Sequence, residues 1–593
     1  MDPSQATQLL QSGIASHQAG DLVAAEAAYR RVLAAIPNHA DALHLLGVLA
    51  AQCGHAQNGE QLIRRAIAIH PVAAEFHFHL GEVLVALKRQ GEAVASMLEA
   101  ARLDPKNAGY RSDAGGLLLA LGRVNEGVEQ MRQAVALAPQ NPLILANFGF
   151  GLSRLGRTDD AVRELRRATE LAPDHPGPWT QLGEVLWRAQ DYDQAIVAAR
   201  RAVALAPNNP PTLILLGNTL QTLAEFEEAA EVYRKVKTLA PDNFDAHSNL
   251  ALTVLKMGEA TQSLELYDQV LQRWPTSADA RANRSLAMLT LGDFERGWEE
   301  YEARWSSTLV AEIKVNNQPR WNRADPAGRT ILLTTEQGLG DVIQFVRYAK
   351  LIADRGGKVI VACAADLKPV VATVPGVSAV VSPSEFFPRF DVFAPVASLP
   401  RIFHTTLETI PAHVPYITAD AQRVAAWRDR LADDANVKVG LVWAGTPRHL
   451  NDRARSCRLA DFAPLAAVAG VTFYSLQKGP PAAQASEAPA GMRIVSLGDD
   501  LRDFADTAAL LQCLDLLISV DTSVVHLAGA LARPVWTLLA RGPDWRWMLD
   551  RSDSPWYPTM RLFRQPRLRD WPAVMSAVAN DLAAFVAQRK ENP

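Results

Sequence analysis

Small and apolar positions recur along the first half of the chain with a fixed period of 34 residues. Prolines mark the period: Pro37, Pro71, Pro105, Pro139, Pro173, Pro207, Pro241 and Pro275 keep register without a slip. Ten residues after each comes a small residue, Gly47, Gly81, Gly115, Gly149, Gly183, Gly217, Ala251 or Ser285. Five residues before each lies a valine or alanine, from Val32 and Ala66 to Val236 and Val270. A second glycine falls seventeen residues past the proline at Gly54, Gly122, Gly156, Gly258 and Gly292. A repeat of this length predicts stacked helical hairpins. Small residues let the two helices of a hairpin approach, and the second glycine breaks the chain between them. The proline is expected to open the next unit, where a missing amide proton costs nothing. About nine hairpins are expected over residues 6–311.

The ninth unit, Leu291 to Trp305, keeps Gly292 and then departs from the pattern. Trp298, Tyr301 and Trp305 replace the alanines, and Pro319 is out of register. A last repeat has no successor to stack on. These aromatics are therefore expected to dock on the next domain rather than form a solvent-facing cap. Residues 312–328 read as a linker, and a fragment ending near residue 318 is expected to fold as helix alone.

From Thr330 the pattern changes kind. TILLTTEQGLGDVIQFVRYAKLIADRGGKVIVAC reads as strand, glycine loop, amphipathic helix over 341–354, turn and strand. VKVGLVWAG, from Val437, is a near-continuous apolar run suited to a parallel strand buried on both faces. VTFYSL (471–476), MRIVSL (492–497) and MRLFRQ (560–565) read as further strands, and a helix from Trp571 to Arg589 closes the pattern. The expected fold is an α-solenoid followed by an α/β half with two Rossmann-like lobes, 329–430 and 437–590.

Composition narrows the function. A chain of 593 residues is too long for one core. Its net charge of -4 provides no basic excess to replace the counterions of nucleic acid. No run is long and apolar enough for a membrane span, and the start MDPSQATQLLQSG lacks the features of a secretory signal. Cys53, Cys363, Cys457 and Cys513 are scattered, and the histidines form no close cluster in sequence. That spacing suits a reducing, cytoplasmic setting without disulfides, metal or cofactor.

Five loops carry candidate chemistry, mostly beyond strand ends, where open α/β sheets bind ligands. Gly338, Gly340 and Asp341 form a GLGD turn that matches neither a dinucleotide fingerprint nor a Walker loop. Asp341 either caps a helix or faces a cleft. Ala444 to Ser456 places Arg448, His449, Arg453 and Arg455 beside Thr446, Asn451 and Asp452, a set suited to phosphate or carboxylate. Lys478 follows a strand. Asp521 ends another strand, and Thr522, Ser523 and His526 open a helix whose amides favour an anion. Trp545, Trp547, Trp556 and Tyr557 are either a sugar or base platform or a local core.

The repeat resembles the tetratricopeptide repeat, on Leu43, Leu46-Gly47, Ile63, Ala66 and Pro71. GLGDVIQFVRY and VDTSVVHLAGALARPVWTLL resemble the glycosyltransferase family that includes the heptosyltransferases. That resemblance implies a GT-B architecture, with Asp341 as general base. It also implies donor phosphates near Asp521, Thr522, Ser523, His526 and Lys478. Plain heptosyltransferases lack the repeats. GWEEYEARW, GLVWAG, NDRARS and DSPWYP are similar to bacterial tetratricopeptide–glycosyltransferase fusions. Some of these resemble flagellin glycosyltransferases that use a nucleotide-activated nonulosonic acid. The resemblance thus implies a nucleotide-sugar donor and an acceptor protein, with flagellin a candidate, held by the repeats. Gly338, Gly340, Thr446 and Arg453 are expected beside the donor. The alternatives are a transferase acting on a small molecule or lipid glycan, or a non-catalytic adaptor.

Overall fold

The computed structural model describes residues 2–307, 318–446 and 451–591. Arg448, His449 and positions 312–317 of the expected linker lie outside the described residues. The chain divides into two compact units, Met1–Thr219 and Leu220–Pro593.

The first unit is built from helical hairpins, from Pro3–Gln18 with Leu22–Ala35 to Pro176–Arg188 with Tyr192–Leu205. The small residues do what their size predicts. A Cβ on Gly47 would lie 2.7 Å from Ile63 and 2.9 Å from the Gly59 carbonyl, so only glycine permits this helix approach. The valines and alanines before the prolines are fully buried. The turn within a hairpin needs a left-handed residue, with φ of 85° at Gly54 and 76° at Gly122. Lys88 and Gln190 hold that position without glycine, at φ of 60° and 64°.

The periodic prolines correct one expectation: they close hairpins instead of opening them. Helix Leu22–Ala35 ends with the Ile36 amide bonded to the Val32 carbonyl, and Pro37 follows. Proline has no proton for the next rung, so the helix stops there. The next helix starts only at Ala40, with His39 as its cap. Other prolines, Pro142 and Pro176, occupy first-turn positions.

The second unit contains the later repeat helices, ending in Ala278–Thr290, Phe294–Tyr301 and a tight turn over Glu302–Ser306. Phe294, Trp298 and Tyr301 belong to one hydrophobic core with the α/β elements that follow. Trp298 meets Trp545 edge-on at 5.0 Å. The docking expected from these aromatics is therefore what the fold contains. The eighth repeat also touches the α/β half: a Cβ on Gly542 would lie 2.1 Å from the Lys256 carbonyl.

Ten strands form two wholly parallel sheets among the described residues. They are β1 (Thr330–Thr334), β2 (Lys358–Ala362), β3 (Val377–Val381), β4 (Val392–Pro395), β5 (Val437–Val442), β6 (Val471–Ser475), β7 (Ile494–Ser496), β8 (Leu516–Val520), β9 (Val535–Leu539) and β10 (Met560–Arg564). The sheet orders are β3-β2-β1-β4 and β10-β9-β8-β5-β6-β7. A helical-repeat solenoid followed by an α/β region of two Rossmann-like lobes is the fold class expected from sequence, consistent with a GT-B-like arrangement. Strands β3 and β4 escaped the sequence reading. The single helix expected over 341–354 is two, Leu339–Phe345 and Tyr348–Ala353. At the break, buried Arg347 turns its Nε to the Gln344 carbonyl and its other nitrogens to Pro411, Trp556 and Tyr416. Trp321, within the segment expected as linker, donates its amide to the Phe393 carbonyl at the β4 edge.

Candidate functional site

Both sheets reverse their winding at a central strand. In the first, the chain fills β1, β2 and β3 in one direction and then places β4 on the other side of β1. In the second, it fills β5, β6 and β7 and then places β8 on the other side of β5. Loops diverge at such switch points and leave a crevice beyond the carboxyl ends of the strands. A cavity of about 900 Å³ lies there, lined by the loops after β1, β2, β5, β6, β7, β8 and β9.

The β1 loop supplies Glu336 to Asp341. Asp341 is the third residue of its helix, and its Oδ2 accepts the Gly338 amide at 2.7 Å. It thus performs the capping role from within the helix while Gly338 holds the cap position. Its other oxygen accepts from Arg546, which reaches over from the loop after β9. Arg546 also bonds to Asp544 at 2.6 Å and to the Gln344 side chain. Burial raises the Asp341 carboxyl above the usual range, although Arg546 opposes the shift. A Cβ on Gly340 would fall 2.7 Å from the His526 ring, so glycine is needed for the two lobes to meet there.

Glu336 is a second buried carboxyl on the wall, its side chain 1 % exposed. Its partner is Arg304 of the ninth repeat, at 3.1 Å. Arg304 is also fixed by Ser398 Oγ at 2.8 Å and Glu302 at 2.8 Å. Burial pushes Glu336 up to about 7 against the pull of Arg304. The Gln337 side chain donates to the Tyr301 hydroxyl. The end of the repeat array therefore buttresses the GLGD loop.

On the facing lobe, Asp521 follows β8, Thr522 holds the N-cap position of helix Ser523–Ala530, and all of Asp521, Thr522, Ser523 and His526 line the cavity. Burial, with Asp544 nearby, raises Asp521. His526 is buried, stacked on Trp547 at 5.3 Å and bonded through Nδ1 to the Tyr557 hydroxyl at 3.0 Å. Burial and neighbouring arginines hold its pKa well below the ordinary value, which leaves the ring neutral.

After β5, a Cβ on Gly445 would lie 2.5 Å from the Asp452 carboxylate and 2.6 Å from the Arg455 guanidinium, so both side chains would have to shift to admit one. Thr446 and Arg455 line the cavity, whereas the expected Arg453 does not. Buried Asp452 explains the choice, because it anchors Ser456 at 2.9 Å and pairs with Arg455 at 3.5 Å, turning Arg455 inward. Lys478 lines the cavity, with its Nζ on the Leu501 carbonyl. Beside it, buried Gln477 accepts the Trp443 and Ala444 amides at 3.0 and 2.9 Å and fixes the loops after β5 and β6 together. Trp545, Trp547, Trp556 and Tyr557 are at most 4 % exposed. They are a local core, and the platform reading is set aside.

Among the described lining residues, six acids (Glu336, Asp341, Asp366, Asp503, Asp521, Asp544) face four bases (Arg455, Lys478, Arg502, Arg546). Sequence reading missed Glu336, Asp544 and Arg546. The last two lie in RGPDWRWML, a segment without helix or strand periodicity to mark its charges.

Residues 164–281 match the family model for the cytochrome c-type biogenesis protein H TPR domain, and 45–108 match a tetratricopeptide repeat. Residues 470–565 match glycosyltransferase family 9 (heptosyltransferase). This span holds Lys478, Asp521, His526 and Arg546 but not Asp341. Protein FlbA of Caulobacter vibrioides is 28 % identical over 315 residues, 49 % of this chain and 52 % of that protein. The match thus spans about half the length of this relative. Among solved structures, the APC/C hetero-tetramer Cut9–Hcn1 is 18 % identical with a TM-score of 0.38, covering 47 % of this chain and 55 % of that one. The pilF protein of Pseudomonas aeruginosa is 20 % identical with a TM-score of 0.30, covering 35 % and 94 %. No helix of the described residues is long and apolar enough to cross a membrane. The chain joins tetratricopeptide repeats, of a kind suited to protein–protein interaction, to a C-terminal glycosyltransferase family 9 domain.

Proposed function

We propose that the protein transfers a sugar from a nucleotide-sugar to a side chain of an acceptor protein recruited by the repeats. The observation that carries the reading is the cavity at the two switch points, with Asp341 on one wall and the Asp521–His526 helix start on the other. Donor phosphates would lie against the amides of the helix opening at Ser523, with Arg455 and Lys478 as charge partners in place of a dedicated metal. The acidic surplus of the wall makes those amides and cations necessary, since a diphosphate gains nothing from the carboxylates. Asp341 would accept the proton of the acceptor hydroxyl, and its raised pKa makes it a better base than an exposed aspartate. Flagellin, and a nonulosonic acid as the sugar, are the candidate acceptor and donor group.

Thermal shift against UDP-, GDP-, ADP- and CMP-sugars identifies the donor. Calorimetry with that donor then separates the roles. Replacing Asp521 or His526 is expected to weaken donor binding, whereas Asp341→Asn should leave it largely intact and remove transfer. Equal loss of donor affinity in D341N and the Asp521 variant rejects these assignments.

A further inference from the structure

A second cavity, of about 620 Å³, opens on the first three hairpins, far in sequence from the α/β half. Its wall carries His44 from helix Ala40–Gln52 and Glu75 and His79 from helix Ala74–Ala86. The spacing explains the meeting. Glu75 and His79 are four residues apart and share one helix face. The 34-residue period then lays the next hairpin's first helix beside His44. His44 Nε2 and His79 Nδ1 stand 2.8 Å apart, and His79 Nδ1 is 4.0 Å from Glu75 Oε1. One ligand atom from each of the three residues lies within 4.8 Å of the others.

We propose that His44, His79 and Glu75 form a binding site for a late first-row divalent metal ion such as Zn²⁺. Two imidazole nitrogens and a carboxylate suit such an ion, whereas Mg²⁺ and Ca²⁺ favour oxygen alone. The ring nitrogens now share a proton. A tetrahedral ion with Zn–N bonds of about 2.0–2.1 Å sets its nitrogens roughly 3.3 Å apart. The pair must open by about half an ångström, which the partly exposed His79 ring can supply by rotating. His44 is the fixed member: it is 2 % exposed, with its ring 4.4 Å from Phe76. Three protein ligands leave a position for water or for a donor atom of a bound protein segment, and the cavity has room for either.

The test uses the full chain, stripped with a chelator and titrated with Zn²⁺ against a chromophoric competitor, and with Co²⁺ by absorption. One tight ion per chain is expected, with a Co²⁺ spectrum of nitrogen ligation. His79→Gln and Glu75→Gln should each weaken it about tenfold or more, a loss typical of a disturbed metal site. Both side chains are partly or largely exposed, so these variants should keep the wild-type circular dichroism. His55→Gln, at an exposed hairpin turn, should bind as wild type. Equal affinity in wild type and H79Q, or no ion bound more tightly by wild type than by the H79Q and E75Q variants, overturns the proposal.

Discussion

Lys88 and Gln190 occupy a backbone state that side chains avoid, with φ of 60° and 64°. At the equivalent position Gly54, Gly122 and Gly156 have φ of 76° to 85°, and Ala224 shares the non-glycine state at 60°. A left-handed non-glycine residue costs about 1–2 kcal/mol, partly offset by glycine's greater freedom when unfolded. Lys88→Gly should therefore stabilise the first unit by about 0.5–1 kcal/mol in urea unfolding. Unchanged or reduced stability would show that the turn tolerates lysine without strain.

Glu336 gives a pH-dependent prediction. Its pKa rises from an ordinary 4.5 to about 7 in the folded chain. Between those values the folded state holds a proton that the unfolded state releases, so this group's contribution is lost as pH rises. Glu336→Gln removes the titration. The Tm of E336Q relative to wild type should become more favourable between about pH 5 and pH 8. A pH-independent Tm difference would contradict the buried, proton-holding state.

At the scale of elements, helix Ala108–Ala120 contains two adjacent glycines with opposite roles. A Cβ on Gly115 would lie 2.7 Å from Met131 and 2.8 Å from the Gly127 carbonyl, whereas Gly116 has open space. Gly116→Ala should stabilise by about 1 kcal/mol through helix propensity alone. Gly115→Ala should destabilise by about 1–3 kcal/mol, because a backbone carbonyl cannot move aside as a flexible side chain can. Unfolding midpoints that shift in the same direction would refute the reading of the period as a packing constraint. That constraint is why the repeats were legible: one steric demand, restated every 34 residues, leaves a visible mark. The α/β half repeats nothing. Long buried strands such as β5 stood out as apolar runs, but β3 is only partly buried and β4 has four residues. Asp341 and the Asp521–His526 run were legible because glycine and helix-opening residues surround them. Arg546 was not, since its role depends on Asp341, 205 positions earlier in the chain. The choice of Arg455 over Arg453 likewise depends on Asp452 being buried, which no spacing reveals.

At the scale of the whole molecule, the compact units divide at Thr219 and Leu220, within the repeats and not at their end. This revises where the chain can be cut. A fragment ending near residue 318 would expose Phe294, Trp298 and Tyr301, which are at most 7 % exposed in the intact core. It should self-associate, unlike a fragment ending at Leu205, where a hairpin closes. The recruitment reading can be tested at the same boundary. A chain starting at Pro207 keeps the helix Pro210–Thr222 whole and retains every described residue of the cavity. Its Arg304 and Tyr301 supports for the GLGD loop are intact, so it should bind donor and hydrolyse it slowly. Far-UV dichroism must first show the strand content of both sheets. Transfer to the acceptor protein should fall at least tenfold if the missing hairpins hold that protein, because the reaction then loses the high local concentration that tethering provides. The separate fragment ending at Leu205 should bind the acceptor in a pull-down without donor. Transfer by the truncated enzyme at the full-length rate, with no binding by the isolated hairpins, would remove the first unit from substrate selection.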